Sequence, residues 1–399
     1  MIRVEMLSTG DEVLHGQIID TNAAWLADYF FNQGLPISSR ETVGDDISAL
    51  IEVLTERSQV ADVLIVNGGL GPTSDDLSAL AAARAAGVEL IEHPEWIARM
   101  EAFFIERGRV MSATNRKQAH IPANAEMLDN PVGTACGFAL RLNKCLMFFT
   151  PGVPSEFKVM VEQQIMPRLR QNFEVAEPPL CLRMTTFGRS ESDLALELEL
   201  DPLPLPEGVV LGYRSSAPII ELKLTGPASQ RSAMEQVWQQ VRAVAGESTL
   251  FEGTKGLPAL LTEQLTQRGL LLAVSEQFTA GLMHWQLQSA GAPLVGGELL
   301  PAHCQESLTE VASRAQSLSM LCGAQVVLAV SAMQNDRLSV ALHTPERTFA
   351  QTVRYQASRH GLRIRQESSA MLAQDMLRRW LKGGPVCGQH GWLDIIEIL

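Results

Sequence analysis

The sequence predicts an α/β protein in three parts: a parallel-sheet domain over residues 1–175, a small α+β module over 176–252 and an α/β domain over 253–399. Three observations predict it. Short apolar segments alternate with segments of helical period, the order that builds a parallel sheet with helices on both faces. Glycine-bearing loops follow the apolar segments, and ligands of such sheets bind beyond the carboxyl ends of the strands. Proline-bearing joints at Glu177-Pro178-Pro179 and over 253–258 interrupt the pattern.

The elements follow in order. Val4-Glu5-Met6-Leu7 reads as a strand ending at Ser8-Thr9-Gly10, and Thr21 caps a helix to about 33, stopped by Gly34. A strand over 35–43 and a helix over 45–58 follow. Ala61-Asp62-Val63-Leu64-Ile65-Val66 is nearly continuous apolar, as a buried parallel strand should be. The Gly68–Asp76 loop then leads into a helix expected over 74–86. Further helices are expected over 94–107 and 155–171, with a strand over 145–149 and a glycine-containing loop over 130–138. The module reads as strands over 182–186, 209–213 and 219–224 with helices over 191–198 and 229–245, and a loop over 199–208. The last part reads as helices over 257–268, 279–288, 305–321 and 359–381. Its strands are expected over 270–275, 294–300, 325–331, 338–343 and 349–355.

Composition narrows the function classes. With 399 residues the chain exceeds one ordinary core, and 46% hydrophobic against 19% charged residues excludes long disorder. No apolar run approaches the roughly 18 residues of a membrane span. The start, MIRVEMLSTGDEV, lacks the basic-then-apolar layout of a signal peptide, so a cytoplasmic location is expected. A net charge of −13 disfavours nonspecific nucleic-acid binding, which depends on cationic contacts. Cys136, Cys145, Cys181, Cys304, Cys322 and Cys387 form no C-x-x-C pair and read as reduced, mostly buried thiols.

The loop Asn67-Gly68-Gly69-Leu70-Gly71-Pro72-Thr73-Ser74-Asp75-Asp76 carries the strongest chemical signal. Its glycines let backbone approach an anion, the following helix offers amide donors, and Thr73 and Ser74 offer hydroxyls. Asp75 and Asp76 suit phosphate only through a divalent cation. A tight turn with an Asp-capped helix fits the same residues. Ser8-Thr9-Gly10-Asp11-Glu12, Asp20-Thr21-Asn22 and Val43-Gly44-Asp45-Asp46 bring further carboxylates, which suit either metal and water or plain helix capping. Asn115-Arg116-Lys117-Gln118 offers cations to a phosphate, and Asn130-Pro131-Val132-Gly133-Thr134 offers amides and a hydroxyl.

At these motifs, together with Pro151-Gly152-Val153-Pro154-Ser155-Glu156, the chain closely resembles the CinA family. Cys136 stands where the family usually has proline, and Thr150 where it usually has leucine. The resemblance implies the molybdopterin-binding fold of molybdenum cofactor biosynthesis proteins, metal-dependent ADP-ribose pyrophosphatase activity and a homodimer. The expected ligand is a phosphorylated nucleotide-like small molecule, with a divalent metal ion as cofactor and neither nucleic acid nor membrane as partner. Asp75, Asp76 and Asp11 are the catalytic candidates, Asp75 and Asp76 as metal ligands, with Asp45 or Asp46 as base or nucleotide contact. Thr9, Gly10, Asn22, Gly68, Gly69, Gly71, Thr73 and Ser74 are expected ligand contacts, as are Lys117, Gly133, Thr134, Gly152 and Ser155. A binding protein without turnover is the alternative.

The middle module resembles the family's KH-type linker domain but lacks a G-x-x-G loop and a basic stripe, so RNA binding is not expected. The last part resembles the family's nicotinamide mononucleotide deamidase domain with eroded motifs. Ser275-Glu276-Gln277-Phe278-Thr279-Ala280-Gly281 puts Gln277 at the serine nucleophile position. Pro301 and Glu306 replace the tyrosine and lysine, and Ser331-Ala332-Met333-Gln334-Asn335-Asp336 replaces the glycine-rich loop. Glutamine offers no activated hydroxyl, so loss of deamidation is expected and an active amidohydrolase is a third reading.

Overall fold

The computed structural model describes residues 2–200, 203–302, 306–356, 360–388 and 390–399. It divides into two units, Met1–Pro179 and Leu180–Leu399. Cys304 and the expected helix starts at 305 and 359 lie outside the described residues, as do 201 and 202 of the expected 199–208 loop.

Unit 1 begins with β1 (Val4–Thr9), the short α1 (Asp11–Leu14), α2 (Thr21–Asn32), β2 (Ile37–Val43), α3 (Ile47–Val60) and β3 (Val63–Asn67). Next come α4 (Ser78–Ala86), β4 (Leu90–Glu92), α5 (Pro94–Glu106), β5 (His120–Pro122), β6 (Glu126–Leu128), β7 (Gly137–Leu142) and β8 (Cys145–Thr150). α6 (Pro154–Met160) and α7 (Met166–Asn172) close the unit, joined by one π-helical turn over Val161–Ile165. The sheet order is β2-β1-β3-β8-β7-β6. The first four strands are parallel, as expected, and β7 and β6 extend the sheet antiparallel.

Strand alternation feeds two cores. Val4, Met6, Val63 and Ile65 pack on Leu26 and Phe30 of α2 and Phe157 of α6. Leu7, Leu64 and Val66 pack on Leu50 and Leu54 of α3, Ala81 of α4 and Trp96 of α5. Helices therefore cover both faces, which leaves the carboxyl-end edge to loops. The parallel register sets Ser8 beside Asn67 and Asn67 beside Thr150 in one row along that edge.

The helix expected from 74 starts four residues later. Asp76 Oδ2 accepts from the Thr73 N–H at 2.8 Å and the Thr73 hydroxyl at 2.5 Å, so a local side-chain turn takes the place of the first helical turn. The short β4 and β5 are missing from the sequence reading, as is β6. β7 starts inside the loop expected over 130–138.

Unit 2 holds two sheets. β9 (Leu180–Phe187), α8 (Glu191–Leu200), β10 (Val210–Ser216), β11 (Ile219–Gly226), α9 (Arg231–Ala245) and β12 (Thr249–Glu252) form an antiparallel sheet in the order β10-β11-β9-β12. Met184, Leu222 and Leu224 of that sheet pack on Leu194 of α8 and Trp238 of α9. Then follow α10 (Leu257–Gln267), β13 (Leu272–Glu276), α11 (Leu282–Ser289), β14 (Leu294–Leu299), α12 (Leu308–Cys322) and β15 (Val326–Val330). β16 (Arg337–His343), β17 (Thr348–Tyr355), α13 (Leu362–Leu381) and β18 (Leu393–Ile398) complete the chain. This sheet runs β14-β13-β15-β16-β17-β18, parallel through its first three strands. Phe187 and Leu250 of the first sheet pack into its core beside Leu257 and Leu261.

Candidate functional site

A cleft of about 500 Å³ opens at the carboxyl ends of β1, β3 and β8. Three strand-end polar residues build its floor. Asn67 donates from Nδ2 to Pro151 O at 2.7 Å and to Thr150 Oγ1 at 3.2 Å. Asn22 donates from Nδ2 to Asn67 Oδ1 at 3.0 Å and to Gly152 O at 2.8 Å. Thr150 thus joins this network and donates its own hydroxyl to Val66 O at 3.0 Å. Ser8 donates to Asp20 Oδ2 at 2.5 Å, while Asp20 Oδ1 accepts the Ala23 N–H and caps α2.

The glycine loop forms one wall. Gly68 and Gly69 have φ of +112° and +68°, the left-handed region that glycine fills without strain. A Cβ at Gly69 would meet Ser78 Oγ at 2.3 Å, so the loop is also packed tightly from behind. Gly69, Leu70 and Gly71 all line the cleft, and their N–H groups donate to no acceptor among the described residues. Three consecutive amides of the loop are thus without a protein partner among the described residues.

Six carboxylates line the cleft: Glu12, Asp20, Asp45, Asp75, Asp76 and Glu156. No lysine, arginine or histidine does. Asp45 and Asp11 exchange hydrogen bonds, each N–H donating to the other carboxylate at 3.1 Å. Partial burial pushes the Asp45 carboxyl above its ordinary range, and the charges of Asp11, Glu12 and Asp75 push it further against the Asp11 N–H. Asp75 is held below its ordinary range, first by the Thr73 hydroxyl, then by its own N–H and by the Lys117 ammonium. The single hydrogen of the Thr73 hydroxyl is directed to Asp76 Oδ2 at 2.5 Å.

The structure brings together Thr9, Gly10, Asn22, Thr134 and Gly152 with the glycine loop and with Asp45, Asp75 and Asp76. Other expected residues lie outside the lining. Asp46 caps α3, accepting the Ala49 N–H at 2.8 Å. Asp11 reaches the site only through Asp45. Lys117 donates to Thr73 O and braces the loop from outside, instead of offering its charge to a phosphate in the cleft. Gly133 spends its N–H on Asn130 Oδ1 at 3.1 Å. Thr73 turns back on Asp76, and Ser74 and Ser155 are exposed on the surface away from the lining. Sequence reasoning left Asp20, Asn67, Gln118 and Glu156 without roles, although each stands within a quoted motif. Glu156 accepts from Asn130 Nδ2 at 2.7 Å, and a Cβ at Gly133 would meet its carboxylate at 2.0 Å. Glycine at 133 therefore makes room for Glu156.

Among the described residues, no three His, Cys, Asp or Glu side chains converge as a metal cage. The donors fit the other mode of hard-cation binding, in which one or two carboxylates share the ion with ligand phosphates and water. Asp45 and Asp75 lie close enough for their charges to interact, so these two are the candidate pair for that role.

In unit 2 the residues around Ser275 and Gln277 bond to one another and to their neighbours. Gln277 is buried and its Oε1 accepts the Ala332 N–H at 2.6 Å. Arg314 pairs with Glu306 through Nε and Nη2, both at 2.8 Å, and also donates to the Ser275 hydroxyl. Ser275 in turn donates to Glu298 Oε1 at 2.6 Å. Thr279 is buried too, and its hydroxyl has no partner among the described residues.

Comparison with known proteins agrees with this architecture. The family described as a probable molybdopterin binding domain matches residues 5–171. A CinA-like protein of Escherichia coli strain 55989 is 61% identical over 397 residues, covering 100% of this chain and 98% of that protein. The NMN amidohydrolase-like protein YfaY of Escherichia coli K12 is 60% identical over the same length and coverage. CinA of Thermoplasma acidophilum, a protein of unknown function, superposes on 43% of this chain and 96% of its own, with 25% identity and a TM-score of 0.38. Identity of this order along the whole chain places the protein in the CinA-like family.

Proposed function

We propose that unit 1 binds a phosphorylated nucleotide-like small molecule in the cleft and hydrolyses its pyrophosphate with the help of a divalent cation, ADP-ribose being the representative substrate. The observation that supports this most is the lining itself: six carboxylates, no cationic side chain and three free amides. An anion entering such a cleft alone meets net repulsion, so its binding requires a cation between it and the acids. Asp75 and Asp45 would hold that ion. A divalent ion there supplies neutralisation of phosphate charge and acidification of bound water.

The chain's own residues set the rest. The Gly69, Leu70 and Gly71 N–H groups bind phosphate oxygens. Asp75, held ionised, keeps its charge for the cation. Asp11 orients Asp45 through the paired hydrogen bonds.

The test is phosphate-ester product release from ADP-ribose by the full chain, with magnesium and with chelator. Turnover with magnesium that stops in chelator supports the reading, and equal turnover in both contradicts it. The absence of a three-ligand cage among the described residues favours a second reading, a binder without turnover. Metal-dependent binding without product would select it. Deamidation by unit 2 is not part of the proposal, since Gln277 is engaged by Ala332 and Arg314 by Glu306.

A further inference from the structure

Asn22 differs from the other polar residues of the cleft. It is 4% exposed, it lines the cleft, and its Oδ1 is buried without a hydrogen-bond partner among the described residues. Both hydrogens of its amide are used, on Asn67 Oδ1 and on Gly152 O. The amide cannot turn over, because its oxygen would then face the Gly152 carbonyl. Nor can Asn67 turn to offer a donor, since its own Nδ2 is held by Pro151 O and Thr150 Oγ1. Asn22 therefore has one unsatisfied group, a fixed acceptor.

An acceptor cannot contact a phosphate oxygen, which is also an acceptor. From this geometry we infer that Asn22 is a specificity-determining residue that receives a hydrogen bond from an N–H or O–H donor of the ligand other than its phosphates. The inference rests on the proposed function and deepens it. The phosphates belong to the glycine-loop amides and the cation at Asp45 and Asp75. Asn22 reads an amino group, a ring N–H or a sugar hydroxyl. A buried acceptor left unpaired is costly, so a ligand that lacks the donor is rejected even when its phosphates fit. The Asn22–Asn67–Thr150 chain of amides and hydroxyl is what holds this acceptor in one orientation.

The test compares two probes that share phosphates and differ in donors. ADP-ribose and inorganic pyrophosphate, each with magnesium, are titrated calorimetrically into the full wild-type chain and into Asn22→Leu. The expected result is a loss of about tenfold or more in ADP-ribose affinity, with pyrophosphate affinity held within about twofold. Equal weakening of both probes assigns Asn22 a structural or cation-holding role and overturns the inference alone. No weakening of either also overturns it. A wild type that binds neither probe overturns the proposed function together with this inference. Wild-type protein titrated with ADP-ribose analogues, each missing one donor, gives a check independent of the variant's folding. One analogue should bind about tenfold more weakly than ADP-ribose, and equal affinity for all would again overturn the inference.

Discussion

Four aspartates of similar sequence context take different jobs. Asp45 and Asp75 line the cleft, Asp76 folds back on Thr73, and Asp46 caps α3. All four follow a strand within a polar loop, so sequence alone fits capping as well as chemistry at each. What separates them is the local turn each one makes, which depends on which N–H lies within reach. The consequences differ accordingly. Asp75→Asn should abolish metal-dependent turnover with the unfolding temperature unchanged. Asp46→Ala should leave turnover intact and cost about 1 kcal/mol of stability, the usual worth of an N-cap. Denaturant unfolding alongside product release checks both, and an inactive, fully stable Asp46→Ala would contradict the assignment. Glycines can be sorted in the same way. A Cβ at Gly152 meets nothing closer than Gly68 Cα at 3.7 Å, whereas one at Gly69 strikes Ser78 Oγ at 2.3 Å. Gly152→Val should therefore block ligand with little effect on melting. Gly69→Val should lower melting by several degrees, and the reverse order would contradict the geometry.

The elements with strong periodicity were legible. The strands from Val4 and Val63, the helices from Thr21 and Ile47, and the long helix ending at Leu381 stand within a few residues of their expected limits. Three- and six-residue strands such as β4, β6 and β18 were not, because so few residues carry no period. The late start of α4 was hidden by the Asp76–Thr73 turn, a side-chain competition that spacing does not reveal. In the site, the three loops at one sheet edge could be read from the strand order. The sign of the cleft could not. In the sequence Lys117 offers a cation to phosphate, but it donates to Thr73 O, while Glu156 and Asp20 enter from helix starts. In unit 2 the sequence shows Gln277 at the expected nucleophile position, and the structure shows it bonded to the Ala332 N–H. Gln277→Ser should not restore ammonia release from nicotinamide mononucleotide, because Arg314 stays locked between Glu306 and Ser275. Measurable release by that variant would show that the scaffold had kept its base.

On the scale of the whole molecule, the two units carry unlike electrostatics. Unit 2 has a buried ion cluster in which Asp375 pairs with Arg378 and Arg379 at 2.7 Å each, and Arg379 also reaches Glu247 at 2.9 Å. His390 lies 3.9 Å from Asp375 in this cluster and against the Phe187 ring. Burial holds His390 down to about 4, aided by the two arginines and opposed by Asp375. The folded protein keeps it neutral where the unfolded chain takes up a proton, so stability falls as pH drops from about 6.5 to about 4. The full effect is about 3 kcal/mol at the acid end, and nothing from this group remains above that window. Thermal unfolding between those pH values should show a steeper slope in wild type than in His390→Gln, and an unchanged slope would contradict it.

Unit 1 poses the central question of whether its acidic cleft takes a phosphorylated nucleotide only with a cation. The most direct measurement is calorimetric titration of ADP-ribose into the full chain, with magnesium and after exhaustive chelation, for wild type and for Asp45→Asn/Asp75→Asn. The expected result is binding to wild type with magnesium, none after chelation, and none to the double variant under either condition. Equal affinity of wild type with and without the metal, or metal-dependent binding that survives in the double variant, would contradict it.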